Sequence, residues 1–251
     1  MSLPAAAVWH DIECGAYKAD LPLWRELVRR ARNRSRSNCE LLEIGCGTGR
    51  VSLALAGERC RVTAVDIDAE LVEVLRRRAD ERRAPVEAVV ADARSLQLDS
   101  TFDLILAPMQ VAQLLSKRDR GRMLASIARH LRPDGYAAVA LLDLDEEWDA
   151  DTGPLPPPDR LHADGYVYSS QPVAVRRDTK SALRLDSVRR VVTPQGEQTE
   201  TFSRISLELV SAQQLESEAQ RAGLVPTGRR HVPATPDHVA STVVILGPPD
   251  G

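Results

Sequence analysis

A basic excess is missing from this 251-residue chain: 33 Lys+Arg stand against 36 Asp+Glu, a formal charge of -3, so nothing in the balance draws it to nucleic acid or anionic lipid. No stretch approaches the ~20 apolar residues that a membrane span requires. The apolar start, Met1 to Trp9, has neither the basic segment nor the long apolar run of a secretory leader. Cysteine is sparse, with Cys14, Cys39, Cys46 and Cys60 spaced 25, 7 and 14 residues apart and no C-x-x-C pair, which excludes the usual zinc and dithiol motifs. The four read as buried thiols in a reducing compartment, and a cytoplasmic protein without a metal site is the expectation. No internal repeat is present. What the chain does have is a core-forming composition, 43% hydrophobic and 27% charged, close to the globular averages of roughly 45–50% and about 25%. Its length sits just above the size at which one core stops growing, which favours one domain with an elaboration.

Periodicity organises the first 145 residues. Leu21, Trp24, Leu27, Val28 and Ala31 recur at helical spacing across Leu21–Arg34, with arginines on the opposite face. Then strands and helices alternate: a strand at Leu41–Ile44, a helix over Val51–Ala56, a strand at Arg61–Val65, a helix over Ala69–Arg82 and a strand at Val86–Val90. A fourth strand at Phe102–Leu106, a helix over Arg120–Leu131 closed by Arg132-Pro133-Asp134-Gly135, and a fifth strand at Tyr136–Leu142 follow. Such alternation predicts a parallel sheet covered on both faces. After Asp145 the pattern changes. A proline-rich linker, Gly153-Pro154-Leu155-Pro156-Pro157-Pro158, precedes extended stretches at Tyr166–Arg176, Ala182–Thr193 and Gln198–Val210, the last two joined by a Pro194-Gln195-Gly196 turn. A helix over Ala212–Ala222 and a strand at Thr242–Leu246 return to the first pattern. The expected division is a core of residues 1–145 and 211–251, with an antiparallel β insertion at 146–210.

The chemistry concentrates in Glu43-Ile44-Gly45-Cys46-Gly47-Thr48-Gly49-Arg50, between a strand and a helix. Glycines here permit unusual dihedrals and let a ligand lie on bare backbone. A dinucleotide fingerprint would read G-x-G-x-x-G, whereas this is G-x-G-x-G behind an acidic residue, Glu43. Asp66, at the end of the second strand, can accept both hydroxyls of a ribose, and Asp92 ends the third strand in the same way. Alone, either acid would serve equally as a helix cap.

With those residues in place, the chain resembles the class I S-adenosylmethionine-dependent methyltransferases over roughly residues 9–145. The likeness rests on the glycine motif, on Val65-Asp66-Ile67-Asp68, on Ala91-Asp92-Ala93 and on Phe102-Asp103-Leu104-Ile105, in that order. It implies an α/β fold with a doubly wound, mostly parallel, Rossmann-like seven-stranded sheet and an antiparallel β insertion after the fifth strand. It further implies S-adenosylmethionine as cofactor: Glu43, Gly45, Gly47 and Gly49 around the methionine part, Asp66 on the ribose, Ile67 against the adenine, and Asp92 with Ala93 at the adenine amino group. Tyr17-Lys18-Ala19-Asp20-Leu21-Pro22 looks like a segment in which the tyrosine closes over the cofactor, while Trp24 reads better as helix packing. The loop Pro108–Leu114 departs from the family, with Met109 and Gln113 where Asn or Ser and His are usual. Met109 can still line the sulfonium pocket.

No histidine shows an acidic partner in the sequence: His130 ends a helix, and His231 and His238 flank late loops. His162, Tyr166 and Tyr168 begin the insertion and are candidates for a substrate pocket beneath a lid. No catalytic residue is assigned. The expected activity is methyl transfer from S-adenosylmethionine to an N or O nucleophile of a small-molecule acceptor, without a nucleic-acid or membrane partner; the oligomeric state is left open. The alternatives are a non-catalytic binder of the same cofactor acting as a regulator, and a nicotinamide-dependent oxidoreductase, against which the glycine spacing counts.

Overall fold

A computed structural model describes residues 3–34, 38–57, 59–143, 156–236 and 238–249. The chain divides into two compact units, Lys18–Asp143 with Val210–Gly251, and Met1–Tyr17 with Leu144–Leu209.

In the larger unit, α2 (Leu21–Arg34) buries the apolar stripe that its spacing predicts, with Trp24 and Leu27 fully enclosed. Five strands follow, β1 (Cys39–Ile44), β2 (Cys60–Asp66), β3 (Val86–Val90), β4 (Phe102–Ala107) and β5 (Leu131–Leu142), all parallel. Between them run α3 (Ser52–Leu55), α4 (Ala69–Arg82) and α5 (Lys117–His130). Helix α4 starts where the Asp68 carboxylate accepts the Glu70 and Leu71 amides, and it stops at Arg83, whose φ of 50° is left-handed. After the second unit, α6 (Ala212–Arg221), β10 (Val225–Val232) and β11 (Ser241–Gly247) complete a seven-stranded sheet in the order β10-β11-β5-β4-β1-β2-β3. Strand β11 runs antiparallel to both of its neighbours, β5 and β10.

Successive residues on the central strands enter opposite cores. Leu41, Leu104, Leu106, Ala138 and Ala140 join α2 on one face, while Leu42, Ile105, Ala107, Ala137 and Val139 join α5 and α6 on the other. The period of two along each strand is thus read as two cores, the physical content of a doubly wound sheet. The chain winds outward from β1 through β2 to β3, then reverses through β4 to β5, so the switch point lies between β1 and β4. Two features depart from the sequence reading. Arg132–Gly135 belongs to β5, which begins by pairing Leu131 with Phe102, and β10 is a strand where a loop around His231 is expected. Pro226 and a bulge at Gly228 break the alternation that would have announced it.

The smaller unit is a four-stranded antiparallel sheet, β6 (Asp159–Ala163), β7 (Tyr166–Thr179), β8 (Ala182–Val192) and β9 (Gln198–Glu208), in that spatial order. The turn after β8 closes as expected, with Gly196 at φ 87° and its amide on the Thr193 carbonyl. Helix α1 (Ala5–Cys14) packs on β6 and β7, so it clusters with this sheet, where the sequence reading grouped it with the core. Its Trp9 meets Tyr168 edge to face, ring centres 5.7 Å apart, and its Glu13 accepts from Arg189 Nε and Nη2, each at 2.7 Å, and from the Ser170 hydroxyl at 2.9 Å. In the proline-rich linker, Gly153–Leu155 lie outside the described residues.

Candidate functional site

The C-terminal ends of β1, β2, β3 and β4 converge beside the switch point, where open α/β sheets bind ligands. From β1 the chain enters the glycine loop with Gly45, Gly47 and Gly49 at φ 73°, 52° and 94°. Two of these glycines are demanded by packing. A Cβ on Gly45 would lie 2.6 Å from Val111, and one on Gly49 would lie 2.3 Å from Leu75 of α4. The glycine triplet alone is therefore no proof of a ligand.

Asp66 adds what the glycines do not. Its Oδ2 accepts the Gly47 amide at 2.9 Å and its Oδ1 accepts the Asp68 amide at 3.0 Å, so the carboxylate is held against the loop from two sides. Each oxygen retains a lone pair for an incoming hydroxyl. Capping of α4 falls to Asp68, which frees Asp66 from the bland role that the sequence allowed. The next residue, Ile67, is 65% exposed: a large apolar side chain at the mouth of a polar strand end suits a flat ring.

Asp92 behaves differently. It caps the short turn Ala93–Ser95 and is clasped by Arg94, whose Nε lies 2.9 Å from both oxygens and whose Nη2 lies 2.6 Å from Oδ2. The guanidinium holds the Asp92 carboxyl below the usual carboxylate range. Arg94 was not singled out from the sequence, although its position two residues after Asp92 at a strand end was the available signal. Ala93 opens the same turn.

Beneath the loop, Glu43 is buried and receives the Ser52 hydroxyl. Burial pushes its carboxyl up to about 8, against the opposing pull of Ser52 and Arg50. Arg50 reaches away to a two-pronged pair with buried Asp20, at 2.6 and 2.7 Å, and Trp24 Nε1 donates to the same carboxylate at 2.8 Å. Trp24 thus packs in the helix core, as its spacing indicates, and also holds the loop's arginine partner. Sequence reasoning missed Asp20, whose partner lies 30 residues away.

After β4, Met109 adopts a left-handed φ of 55°, rare for a residue with a side chain. Gln113 is buried and accepts the Leu142 amide at 2.7 Å, so it ties this loop to the end of β5. His231 has the acidic neighbour that the sequence did not reveal, with its Nδ1 3.6 Å from Asp143; strand pairing through β11 brings them together. His130 is buried, and its Nε2 accepts the Leu98 amide at 3.1 Å.

In the smaller unit the three candidate substrate residues separate. Tyr166 and Tyr168 share a face of β7 and stack at 6.0 Å, whereas His162 pairs with Val167 and so points to the opposite face. Tyr17, buried, ends that unit's N-terminal segment. A cleft of about 590 Å³ lies at the other end of the large sheet, lined by Glu40, Arg61, Pro85, Glu87 and Arg132 at strand beginnings, away from the glycine loop. Among the described residues there is no cluster of three or more metal-ligating side chains.

Residues 41–135 match the family model described as a methyltransferase domain. The cypemycin N-terminal methyltransferase of a Streptomyces species is 38% identical over 104 residues, 41% of this chain and 42% of that protein. A carboxy-S-adenosyl-L-methionine synthase of Yersinia enterocolitica is 32% identical over 124 residues, 47% and 45% of the two chains. The chain thus spans less than half the length of these curated relatives. Solved structures match across nearly its full length. Streptomyces venezuelae DesVI superposes with a TM-score of 0.73 at 19% identity, covering 97% of this chain and 99% of that one. CalS10, an amino pentose methyltransferase from Micromonospora echinaspora solved with S-adenosylmethionine bound, gives 0.72 at 16% identity, covering 98% of each. Strand order, loop and sequence likeness agree: this chain has the fold of the S-adenosylmethionine-dependent methyltransferases, and its residues 41–135 match a methyltransferase domain.

Proposed function

We propose that the protein binds S-adenosylmethionine and transfers its methyl group to an N or O nucleophile of a small molecule. The observation that carries this reading is Asp66, held by the Gly47 and Asp68 amides with Ile67 exposed beside it. The residues present fit such a cofactor. Asp66 would accept ribose hydroxyls, Ile67 would cover one face of the adenine, and the turn at Asp92 and Ala93 would meet its edge. When bound, the cofactor supplies a methyl group already activated by its sulfonium. The protein's share is then to align an acceptor lone pair with that methyl and to exclude water. A strong base is needed only where the acceptor arrives protonated, which agrees with Met109 and Gln113 standing in the loop after β4.

Amines are the first acceptors to test. KedS8, a sugar N-methyltransferase, superposes with a TM-score of 0.73 at 18% identity, and the cypemycin relative is an N-terminal methyltransferase. The test has two stages: calorimetric titration with S-adenosylmethionine, then mass spectrometry for methylated product over a panel of amino sugars, amines and phenols. Failure to bind the cofactor sinks the reading. Binding without any product across the panel favours a non-catalytic binder instead.

A further inference from the structure

Cys39 opens β1 and Cys60 opens β2, and the parallel register sets the two residues opposite each other. Both join the core on the α2 side of the sheet, as do Leu41 and Val62 two residues on, so the two side chains stand on one face. Neighbouring strands lie about 4.7–4.9 Å apart, inside the Cα window of roughly 4.4–6.8 Å in which a disulfide forms. A small tilt of these first residues brings their Cβ atoms into the ~3.5–4.5 Å that the bond needs. The thiols already meet, Cys39 donating its S–H to the Cys60 sulfur. That contact holds the Cys60 thiol below the ordinary thiol range against the opposing effect of burial, and Arg32 adds to it, whereas the same contact and burial push Cys39 up. The pair is thus divided into a nucleophile and a partner that keeps its proton. Both are buried, yet one residue separates each from the surface: Arg59, before Cys60, is exposed, and Glu40, after Cys39, lines the open cleft at the strand beginnings. Between the two cysteines the chain carries the whole glycine loop and α3.

We propose that Cys39 and Cys60 are a site of reversible oxidation, forming a disulfide that staples β1 to β2 and closes the glycine loop into a covalent ring. The oxidant is a small hydroperoxide. The Cys60 thiolate attacks one peroxide oxygen, the O–O bond breaks, and the leaving hydroxide takes a proton to become water, which leaves Cys60 as a sulfenic acid. The Cys39 sulfur then attacks the Cys60 sulfur, the S–S bond forms, and the departing hydroxide takes the Cys39 proton as a second water. The two sulfurs together lose two electrons, which the peroxide gains. A dithiol reductant restores both thiols by exchange.

The test treats the folded, reduced full chain with equimolar hydrogen peroxide, removes the oxidant with catalase, and then denatures the chain in N-ethylmaleimide. The untreated chain should take up four maleimide groups, one for each cysteine, and the oxidised chain two, with an intact mass that shows the loss of two hydrogen atoms. Proteolysis without reductant should yield one bridged pair of peptides, containing residues 39 and 60, and dithiothreitol before denaturation should restore the uptake of four. Single variants read the division of roles. In Cys39→Ser the oxidation should stop at a Cys60 sulfenic acid, which dimedone traps, whereas in Cys60→Ser dimedone should not label Cys39. Four maleimide groups after peroxide, a bridge that involves Cys14 or Cys46 instead, or dimedone on Cys39 in the Cys60→Ser variant would each overturn the proposal.

Discussion

Glu43→Gln tests the electrostatics beneath the glycine loop. The carboxyl is buried and stands at about 8 against an ordinary 4.5, chiefly because burial disfavours its charged form. Between those two values the folded chain keeps a proton that the unfolded chain releases, so stability falls as pH rises. The contribution is fully present below 4.5 and lost as pH climbs through 8. At roughly 1.4 kcal/mol per pH unit, the gap sets an upper bound of about 5 kcal/mol, a large share of a typical total of ~5–15 kcal/mol. Glutamine is neutral at every pH and retains a carbonyl oxygen to accept from Ser52, so it removes the titration while leaving the contact. Urea unfolding of both proteins from pH 5 to 9 is the assay, with the difference between them isolating Glu43 from every other titrating group. The two should be of similar stability at pH 5, and the variant should gain a few kcal/mol by pH 9. A difference that stays flat over this range would refute the reasoning and place the ionised carboxylate comfortably in its pocket.

Four further outcomes are expected. Asp66→Ala should weaken S-adenosylmethionine binding by about 1.5–3 kcal/mol, the scale of hydrogen bonds to a charged group, or roughly 10- to 150-fold in Kd by calorimetry; full affinity in a folded variant would remove Asp66 from the site. Gly49→Ala meets both a φ of 94° and the buried Leu75, and should cost on the order of 1–3 kcal/mol, seen as a lower melting temperature. Arg120 donates from Nε and Nη2 to Glu218 at 2.7 and 3.0 Å, with both residues buried. Arg120→Ala should therefore cost about 3–5 kcal/mol by leaving a buried charge, whereas Arg120→Met with Glu218→Leu should cost less. Arg94→Ala should let the Asp92 carboxyl rise toward its ordinary value, which carboxyl-detected NMR titration would follow.

Much of the larger unit was legible because local and tertiary demands coincide there. Helix α4 occupies Ala69–Arg82, the expected span, since Asp68 caps its start and Leu71, Val72, Leu75 and Ala79 keep one face apolar and buried. Strand β3 likewise keeps its expected bounds, Val86–Val90. The glycine loop and the strand-end acids stood out through their place between elements, whereas Ile67 was named only through the family resemblance. Strand β6 and helix α1 did not, because neither shows a period strong enough to stand out from five or ten residues of mixed character.

What the sequence determined by itself is therefore whatever depends on neighbours within a turn or a strand: the alternation of elements, the helix caps, the left-handed turns and the order of the motifs. Contacts between distant residues were decided only by the tertiary structure. Arg120 and Glu218 are 98 residues apart, and Asp143 meets His231 only because β11 lies between β5 and β10. The face that a strand residue occupies is decided the same way. His162 and Tyr166 are near in sequence, yet the hairpin register sets Ala163 against Tyr166 and His162 against Val167, and a period of two then sends the histidine and the tyrosine to opposite sides of the sheet.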